Sequence, residues 1–270
     1  MKNIIIFAFC LFFNIIILSG QDVDKYIEEG RLKLKDKDYN GAFNSFTNAI
    51  NLSPSDYNGY YERGMLFIEM ERYKDAINDF TISIDLNPKY PMSYLYRAIC
   101  YDNLDMYKDA LRDYNLAVAL DSTIGFAYYN MGILNDLIEE YAKAIECYTK
   151  ALQTDSLRAI SLYNRALDYE KINKIQKAIE DYTMAIEIKP DYTDAYYNRA
   201  NLYDDIGEPE KAIVDYTKVI ELEPDATDAL YNRGVVKINL GYKSEGCIDV
   251  KKAADMGDKD AIEFYNVRCK

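Results

Sequence analysis

The chain has 270 residues, 49% of them apolar, so it can bury a sizeable core and is not expected to be disordered. It contains no histidine, which removes the commonest general base and metal ligand. Its formal net charge of -13 disfavours nucleic acid and anionic lipid surfaces as partners and favours basic or neutral ones.

The first predicted element is an apolar segment at the N-terminus. Residues 4–18 are apolar except Asn14, and they follow a short, positively charged start. As a helix this stretch would reach about 22 Å, short of the roughly 30 Å hydrocarbon layer of a membrane. With the small residues before Gln21, it predicts a secretory signal peptide over residues 1–20 and therefore an exported protein. An uncleaved N-terminal membrane anchor is the alternative.

The rest of the chain repeats with a period of 34 residues. The same small residue recurs at this spacing, at Ala42, Ala76, Ala110, Ala144, Ala178, Ala212 and Gly246. Such self-similarity indicates one supersecondary unit copied in tandem. We number position 1 of each copy so that copies 1 to 7 span residues 23–56, 57–90, 91–124, 125–158, 159–192, 193–226 and 227–260.

Each copy has the pattern of two amphipathic helices joined by a tight turn. Small residues at positions 8 and 20 allow close helix packing, and position 24 carries a phenylalanine or tyrosine in copies 1 to 6. Four copies have proline at position 32, where it ends the second helix. A lone pair of helices buries too little surface to offset its ordering entropy, so the copies must stack. Residues 261–270 then resemble a capping helix.

These residues carry a resemblance to the tetratricopeptide repeat (TPR) family over residues 23–258. The run Ala195-Tyr196-Tyr197-Asn198-Arg199-Ala200-Asn201-Leu202-Tyr203, followed by Lys211-Ala212-Ile213, is close to that family's pattern. The resemblance implies an all-α fold, a right-handed superhelical solenoid of seven 34-residue helix-turn-helix repeats plus the C-terminal capping helix. It also implies a concave groove lined by the first helices, used to bind peptide segments or proteins.

Arginine at position 7 and aspartate at position 23 occur in the same five copies. In copy 4 both change together, to Met131 and Cys147, and in copy 1 both differ again. Pairing each aspartate with the arginine of the following copy would leave mismatches. We therefore predict an ion pair between the two helices of one copy, with a role in the fold and not in ligand binding.

The resemblance places positions 2, 5 and 12 of the first helices in the groove. In this chain they form a series of rings beside a series of carboxylates, which would select lysine or arginine in a partner. The alternative is that tyrosine at position 5 is simply common in the family and that the acids form a solvent-exposed face without a ligand. The candidate peptide-binding residues are Tyr61, Tyr129, Tyr163, Tyr197, Tyr231, Asp102, Asp136, Glu170, Asp204, Asp194 and Asp228.

Four cysteines remain beyond the signal segment, and they include no CxxC spacing. Cys100 and Cys147 fall on helices that should not touch, so we expect both to be buried as small apolar residues. Cys247 lies on the second helix of copy 7, and Cys269 lies on the helix expected to pack against it. A disulfide between these two is a hypothesis.

The sequence favours a binding scaffold over an enzyme. It has no phosphate-cradling glycine loop, GxSxG or zinc pattern, so we predict no catalytic activity, no cofactor and no metal. Position 5 is never basic, which disfavours the carboxylate clamp by which some TPR domains hold acidic chaperone tails. We predict a protein or peptide partner in the periplasm or cell envelope of a bacterium, with membrane contact only through an uncleaved N-terminal segment. The alternative function is a structural or membrane-tethered spacer whose groove holds no ligand.

Overall fold

A computed structural model describes residues 22–154 and 157–270, so the predicted signal peptide at residues 1–20 lies outside it. The described residues form fifteen helices and contain no strand, which confirms the predicted all-α class. None of these helices has the length and apolarity needed to cross a membrane. In chain order they are α1 (22–35), α2 (Tyr39–Leu52), α3 (Tyr57–Glu69), α4 (Tyr73–Leu86), α5 (Pro91–Asp102), α6 (Tyr107–Leu120), α7 (Gly125–Leu137), α8 (Tyr141–Ala151), α9 (Arg158–Lys171), α10 (Ile175–Ile188), α11 (Thr193–Asp205), α12 (Pro209–Leu222), α13 (Thr227–Asn239), α14 (Lys243–Asp255) and α15 (Lys259–Arg268).

The helices form two compact units, divided between Ala127 and Tyr128. In the first unit α3 packs on α4 and α5 packs on α6, and the contacts of α2 with α3 and of α4 with α5 join successive copies. In the second unit the pairs are α9 with α10, α11 with α12 and α13 with α14, joined by α8–α9, α10–α11 and α12–α13 contacts. Each unit is therefore a stack of helical hairpins that bury their faces against one another, as a repeat solenoid requires.

Small residues and large rings alternate in the core of each copy. The alanines at position 20 in copies 1 to 6 are fully buried. An added Cβ on Gly64, at position 8, would lie 2.8 Å from the Phe80 ring, so a small residue there makes room for the ring at position 24. Burial of such side chains stabilises the fold by about 1.5–3 kcal/mol each. The rings buried at position 24 are Phe46, Phe80, Tyr114, Tyr148, Tyr182 and Tyr216.

The turn within each copy uses a left-handed residue at position 15. Copies 6 and 7 have glycine there, Gly207 and Gly241, with φ of 78° and 92°. Copies 1 to 5 have a residue other than glycine in the same left-handed region, which costs conformational energy because its Cβ crowds the backbone. These residues are Lys37, Glu71, Asp105, Glu139 and Asn173, with φ between 56° and 63°.

The predicted ion pair within each copy is confirmed in all five copies that carry it. In copy 5, Nε of Arg165 donates to Oδ2 of Asp181 and Nη2 donates to Oδ1, both at 2.7 Å. The remaining guanidinium nitrogen, Nη1, donates to the hydroxyl of Thr149 in the preceding copy at 2.8 Å. One arginine thus joins the two helices of its own copy and also links two copies. The other triads are Arg63–Asp79–Thr47, Arg97–Asp113–Thr81, Arg199–Asp215–Thr183 and Arg233–Asp249–Thr217.

Copy 4 replaces the ion pair with apolar packing. Met131 and Cys147 are both buried, and Cys147 is a free thiol, as is the buried Cys100. The side-chain amide of Asn135 donates to the Met131 carbonyl at 2.7 Å. Copy 4 and the five arginine-containing copies therefore solve the same packing problem in two ways, one uncharged and one charged.

The C-terminal helix α15 closes the second unit. The Asp258 carboxylate accepts from the backbone N–H of Ala261 at 2.6 Å, which caps the N-terminus of the helix. Ala261 is fully buried in a cluster with Leu230 and Val250. Cys269 forms the hypothesised disulfide with Cys247 of α14, with the two Cα atoms 5.6 Å apart. The last helix is thus held covalently as well as by packing.

Candidate functional site

The position-5 tyrosines of the second unit lie half-buried on α7, α9, α11 and α13. Three of them pack on the ring at position 24 of their own copy. The centroid distances are 6.0 Å for Tyr129–Tyr148, 5.6 Å for Tyr163–Tyr182 and 5.9 Å for Tyr197–Tyr216. Tyr231 instead meets Phe264 of α15 at 5.9 Å. Each ring therefore rests on a neighbouring ring that fixes its position.

The hydroxyl groups of three of these tyrosines are held by the next copy. The asparagine at position 6 donates from Nδ2 to the tyrosine Oη, a link that sequence reasoning did not predict. The donor-to-acceptor distances are 3.5 Å for Asn164–Tyr129, 3.1 Å for Asn198–Tyr163 and 3.1 Å for Asn232–Tyr197. The tyrosines are thus part of the framework between copies, and their exposed edges are presented in fixed orientations.

Tyr61, in the first unit, has a different environment. Its ring lies 5.1 Å from Tyr90 and 6.0 Å from Tyr96, and it also packs on Phe80. Burial raises the pKa of its hydroxyl, and the neighbouring tyrosines raise it further. Tyr61 therefore belongs to an aromatic cluster of the first unit.

Exposed carboxylates accompany the tyrosines. Burial raises the pKa of Tyr163, and the charge of Asp194 raises it further, because this carboxylate lies beside the ring. Asp228 acts in the same way on Tyr197. An open cleft of about 490 Å³ is lined by Asp194, Tyr197 and Asp228 among others, so three of the predicted residues share one site.

The position-12 acids differ from one copy to the next. Asp136 and Asp204 are exposed, whereas Asp102 and Glu170 are half-buried. The Tyr182 hydroxyl donates to Glu170, so that carboxylate has a structural partner. Asp204 lines a second cleft of about 340 Å³ together with Asn201 and Asn232.

A third cleft, of about 370 Å³, extends the surface onto the capping helix. It is formed by Tyr231 with Asp260, Glu263 and Phe264 of α15. Sequence reasoning assigned α15 only a covering role and missed these acids. Within residues 22–154 and 157–270, no three metal-binding side chains converge in a way that could hold a metal ion.

Asp168 is a further residue that sequence reasoning missed. It occupies position 10 of copy 5, where the other copies have only leucine, cysteine or valine, and this contrast was visible in the sequence. Its side chain is completely buried, and neither carboxyl oxygen has a hydrogen-bond partner among the described residues. Burial raises the pKa of Asp168 to about 8, together with the adjacent Asp136 carboxyl and against a smaller opposing effect of Lys171.

Comparison with known proteins now identifies the class. Family models described as tetratricopeptide repeat match residues 61–123, 126–156, 159–192 and 193–226, which together exceed half of the chain. The chain therefore belongs to the tetratricopeptide repeat family. No curated protein sequence matches it.

Solved structures share the fold at low sequence identity. The C-terminal part of a TPR repeat-containing protein from Cytophaga hutchinsonii is 18% identical with a TM-score of 0.75, over 88% of this chain and 98% of that one. A tetratricopeptide repeat protein from Parabacteroides merdae is 22% identical with a TM-score of 0.60, over 93% and 100%. YrrB, a TPR protein, is 24% identical with a TM-score of 0.61, over 67% and 94%. Identities at this level show a common fold and nothing finer.

Proposed function

We propose that this protein is a non-catalytic binding scaffold whose second unit takes a basic protein or peptide segment. The binding surface is the row of half-buried tyrosines on α7, α9, α11 and α13 together with the carboxylates beside them. We call it the tyrosine–acid face. The TPR fold serves protein interaction in general, and YrrB in particular is described as having an unusual peptide-binding site.

One observation carries this proposal. The tyrosine rings are fixed by ring packing below and by asparagine bonds from the next copy, so their contact area is available at low entropic cost. The neighbouring carboxylates Asp194 and Asp228 are exposed and have no ion-pair partner within the described part of the chain. A segment bearing lysine or arginine would supply the missing charges.

The test is capture of partners from envelope extract with the full chain carrying a C-terminal affinity tag. Asp194→Asn combined with Asp228→Asn removes two charges and no packing. A matched control, Glu180→Gln with Glu187→Gln, removes two exposed acids from α10, on the second helix of copy 5. The proposal predicts that a specific partner is lost with the first pair and retained with the second. Equal capture by both variants would contradict it.

A second candidate function, a structural spacer, has its own supporting observation. Val214 and Ile248 occupy position 22 of successive copies and are 66% and 69% exposed. Exposed apolar residues at equivalent positions suit contact with another protein surface. If the spacer function holds, Val214→Glu combined with Ile248→Glu should abolish assembly. If it does not hold, the same double variant should leave partner capture on the tyrosine–acid face unchanged.

We also propose that the protein is exported to the periplasm or cell envelope of a bacterium, with N-terminal anchoring as the alternative. The apolar N-terminal segment supports export, and the Cys247–Cys269 disulfide suits an oxidising compartment. Mass spectrometry of the protein from its native compartment should find the N-terminus near Gln21. A chain that retains Met1 would favour the anchor.

A further inference from the structure

Asp168 differs from the other buried aspartates of the second unit in having no hydrogen-bond donor. Asp181, Asp215 and Asp249 each accept two bonds from an arginine of the same copy. Asp168 accepts none from the described residues. A buried polar group without a partner is costly, and few such groups occur in native proteins. Its presence therefore calls for a function.

The location of Asp168 connects it to the tyrosine–acid face. In copy 2 the equivalent residue, Leu66, packs in one cluster with Phe46, the ring at position 24 of the preceding copy. Asp168 is correspondingly close to Tyr148, whose pKa is raised by burial first and then by the Asp168 charge. The carboxyl of Asp136, which is exposed on that face, lies close enough to raise the pKa of Asp168.

Two carboxyl groups thus meet at one point of the face, one buried and one exposed. The titratable and charged groups around Asp168 are Asp136 from α7, Tyr148 from α8 and Lys171 from its own helix. Lys171 is exposed, and its charge only partly offsets the effects of burial and of Asp136, which favour the protonated form of Asp168. A basic side chain entering from the face would displace the proton that Asp168 holds, bond to the oxygens of Asp168 and stabilise both carboxylates in their charged form.

We propose that Asp136 and Asp168 together bind one basic side chain, a lysine ammonium or an arginine guanidinium, of the segment held on the tyrosine–acid face. This inference rests on the proposed function and deepens it. A metal ion fits less well, because calcium takes six to eight oxygen ligands and no group of three metal-binding side chains is present among the described residues.

The site also fixes where along the face the segment binds. Asp136 and Asp168 occupy position 12 of one copy and position 10 of the next. At the same two positions, Glu170 of copy 5 is followed by the buried Leu202 of copy 6, and Asp204 of copy 6 by the buried Val236 of copy 7. Only one pair of successive copies in the second unit, copies 4 and 5, combines two acids in this way. A single deep charge anchor among shallow acids sets the register of a bound chain, because every other register leaves the buried carboxyl without a partner.

The experiment measures fluorescence anisotropy of a labelled peptide of alternating lysine and serine, with the full chain. Asp168→Asn replaces the carboxyl at constant size, and Asp168→Leu installs the residue found in copies 1, 2, 4 and 6. Each should weaken binding about tenfold or more, as expected for the loss of a charge-assisted bond. Glu180→Gln, an exposed acid on α10, is the matched control and should bind as the original chain does.

Two further measurements separate a binding role from a structural one. Titration calorimetry in buffers of different ionisation enthalpy should show proton release on peptide binding by the original chain and not by Asp168→Asn. Urea unfolding should show Asp168→Leu to be at least as stable as the original chain, so that loss of binding is not loss of fold. A peptide with acetylated lysines should not bind.

The outcomes that overturn the inference are distinct from those that overturn the proposed function. Unchanged affinity in both Asp168 variants, unchanged proton release, or loss of binding on addition of EDTA would each refute the anchor. If the lysine peptide does not bind the original chain but partner capture still depends on Asp194 and Asp228, the anchor is refuted and the scaffold function stands. If neither peptide binding nor that dependence is found, both are refuted.

Discussion

The ion pair of copy 5 offers the sharpest test of how the fold is held together. Asp181→Ala removes a carboxylate that is 5% exposed and accepts two bonds of 2.7 Å from Arg165. The guanidinium, 15% exposed, then retains only its bond to Thr149. Breaking a buried ion pair costs about 3–5 kcal/mol. Because Arg165 keeps one bond and is slightly exposed, we expect Asp181→Ala to lower the unfolding free energy by about 3 kcal/mol.

The chain itself provides the compensating variant. Copy 4 has Met131 and Cys147 at the two positions, so Arg165→Met with Asp181→Cys transfers an existing solution into copy 5. Replacement of both partners by apolar groups of similar size should cost about 0–1 kcal/mol, so the double variant should be more stable than Asp181→Ala by about 2 kcal/mol or more.

The assay is urea unfolding followed by far-UV circular dichroism, with Glu180→Ala as the exposed neighbouring control. That control should change the unfolding free energy by no more than about 0.5 kcal/mol. An Asp181→Ala loss equal to that of the control, or a double variant less stable than Asp181→Ala, would refute the reasoning.

Three further predictions follow from the packing, the turns and the buried carboxyl. Cys247→Ser should lower the unfolding free energy by about 3 kcal/mol, because the disulfide closes a loop between residues 22 positions apart and so constrains the unfolded chain. Reductant should have the same effect on the original chain. Equal thermal melting with and without reductant would contradict the disulfide. Gly207→Ala should cost about 1 kcal/mol from backbone strain alone, since an added Cβ meets nothing within 4 Å. A stabilising effect in calorimetric melting would refute this. Between its ordinary pKa of 3.8 and its raised pKa of about 8, Asp168 keeps a proton in the native state that the unfolded chain releases. Its contribution to stability is therefore full at low pH and is lost as the pH rises. Urea midpoints of the original chain should fall from pH 5 to pH 8, and Asp168→Leu should make this fall smaller.

The repeat architecture and its ion pairs were predictable because each depends on a pattern repeated through the chain. The intracopy pairing followed from the joint change at Met131 and Cys147, which a single copy would not have revealed. The threonine link escaped prediction, although Thr149 and its equivalents precede each arginine by sixteen residues in the sequence.

The candidate site was predictable only in outline. Family positions place Tyr163 and Asp194 on one surface, but the bond from Asn198 to Tyr163 depends on side-chain orientations that spacing does not fix. Glu170 was assigned to the ligand, whereas the structure also gives it the Tyr182 hydroxyl as a donor. Asp168 was overlooked among 45 acidic residues, because its significance lies in its burial and not in its charge.

The central claim is that partners bind on the tyrosine–acid face of the second unit. Hydroxyl-radical footprinting tests it directly, because tyrosine side chains report their own exposure. With the lysine–serine peptide bound, oxidation of Tyr163 and Tyr197 should fall, while that of Tyr242, which is 57% exposed and lies just before α14, should not change. Protection of Tyr242 with no change at Tyr163 and Tyr197 would contradict the account.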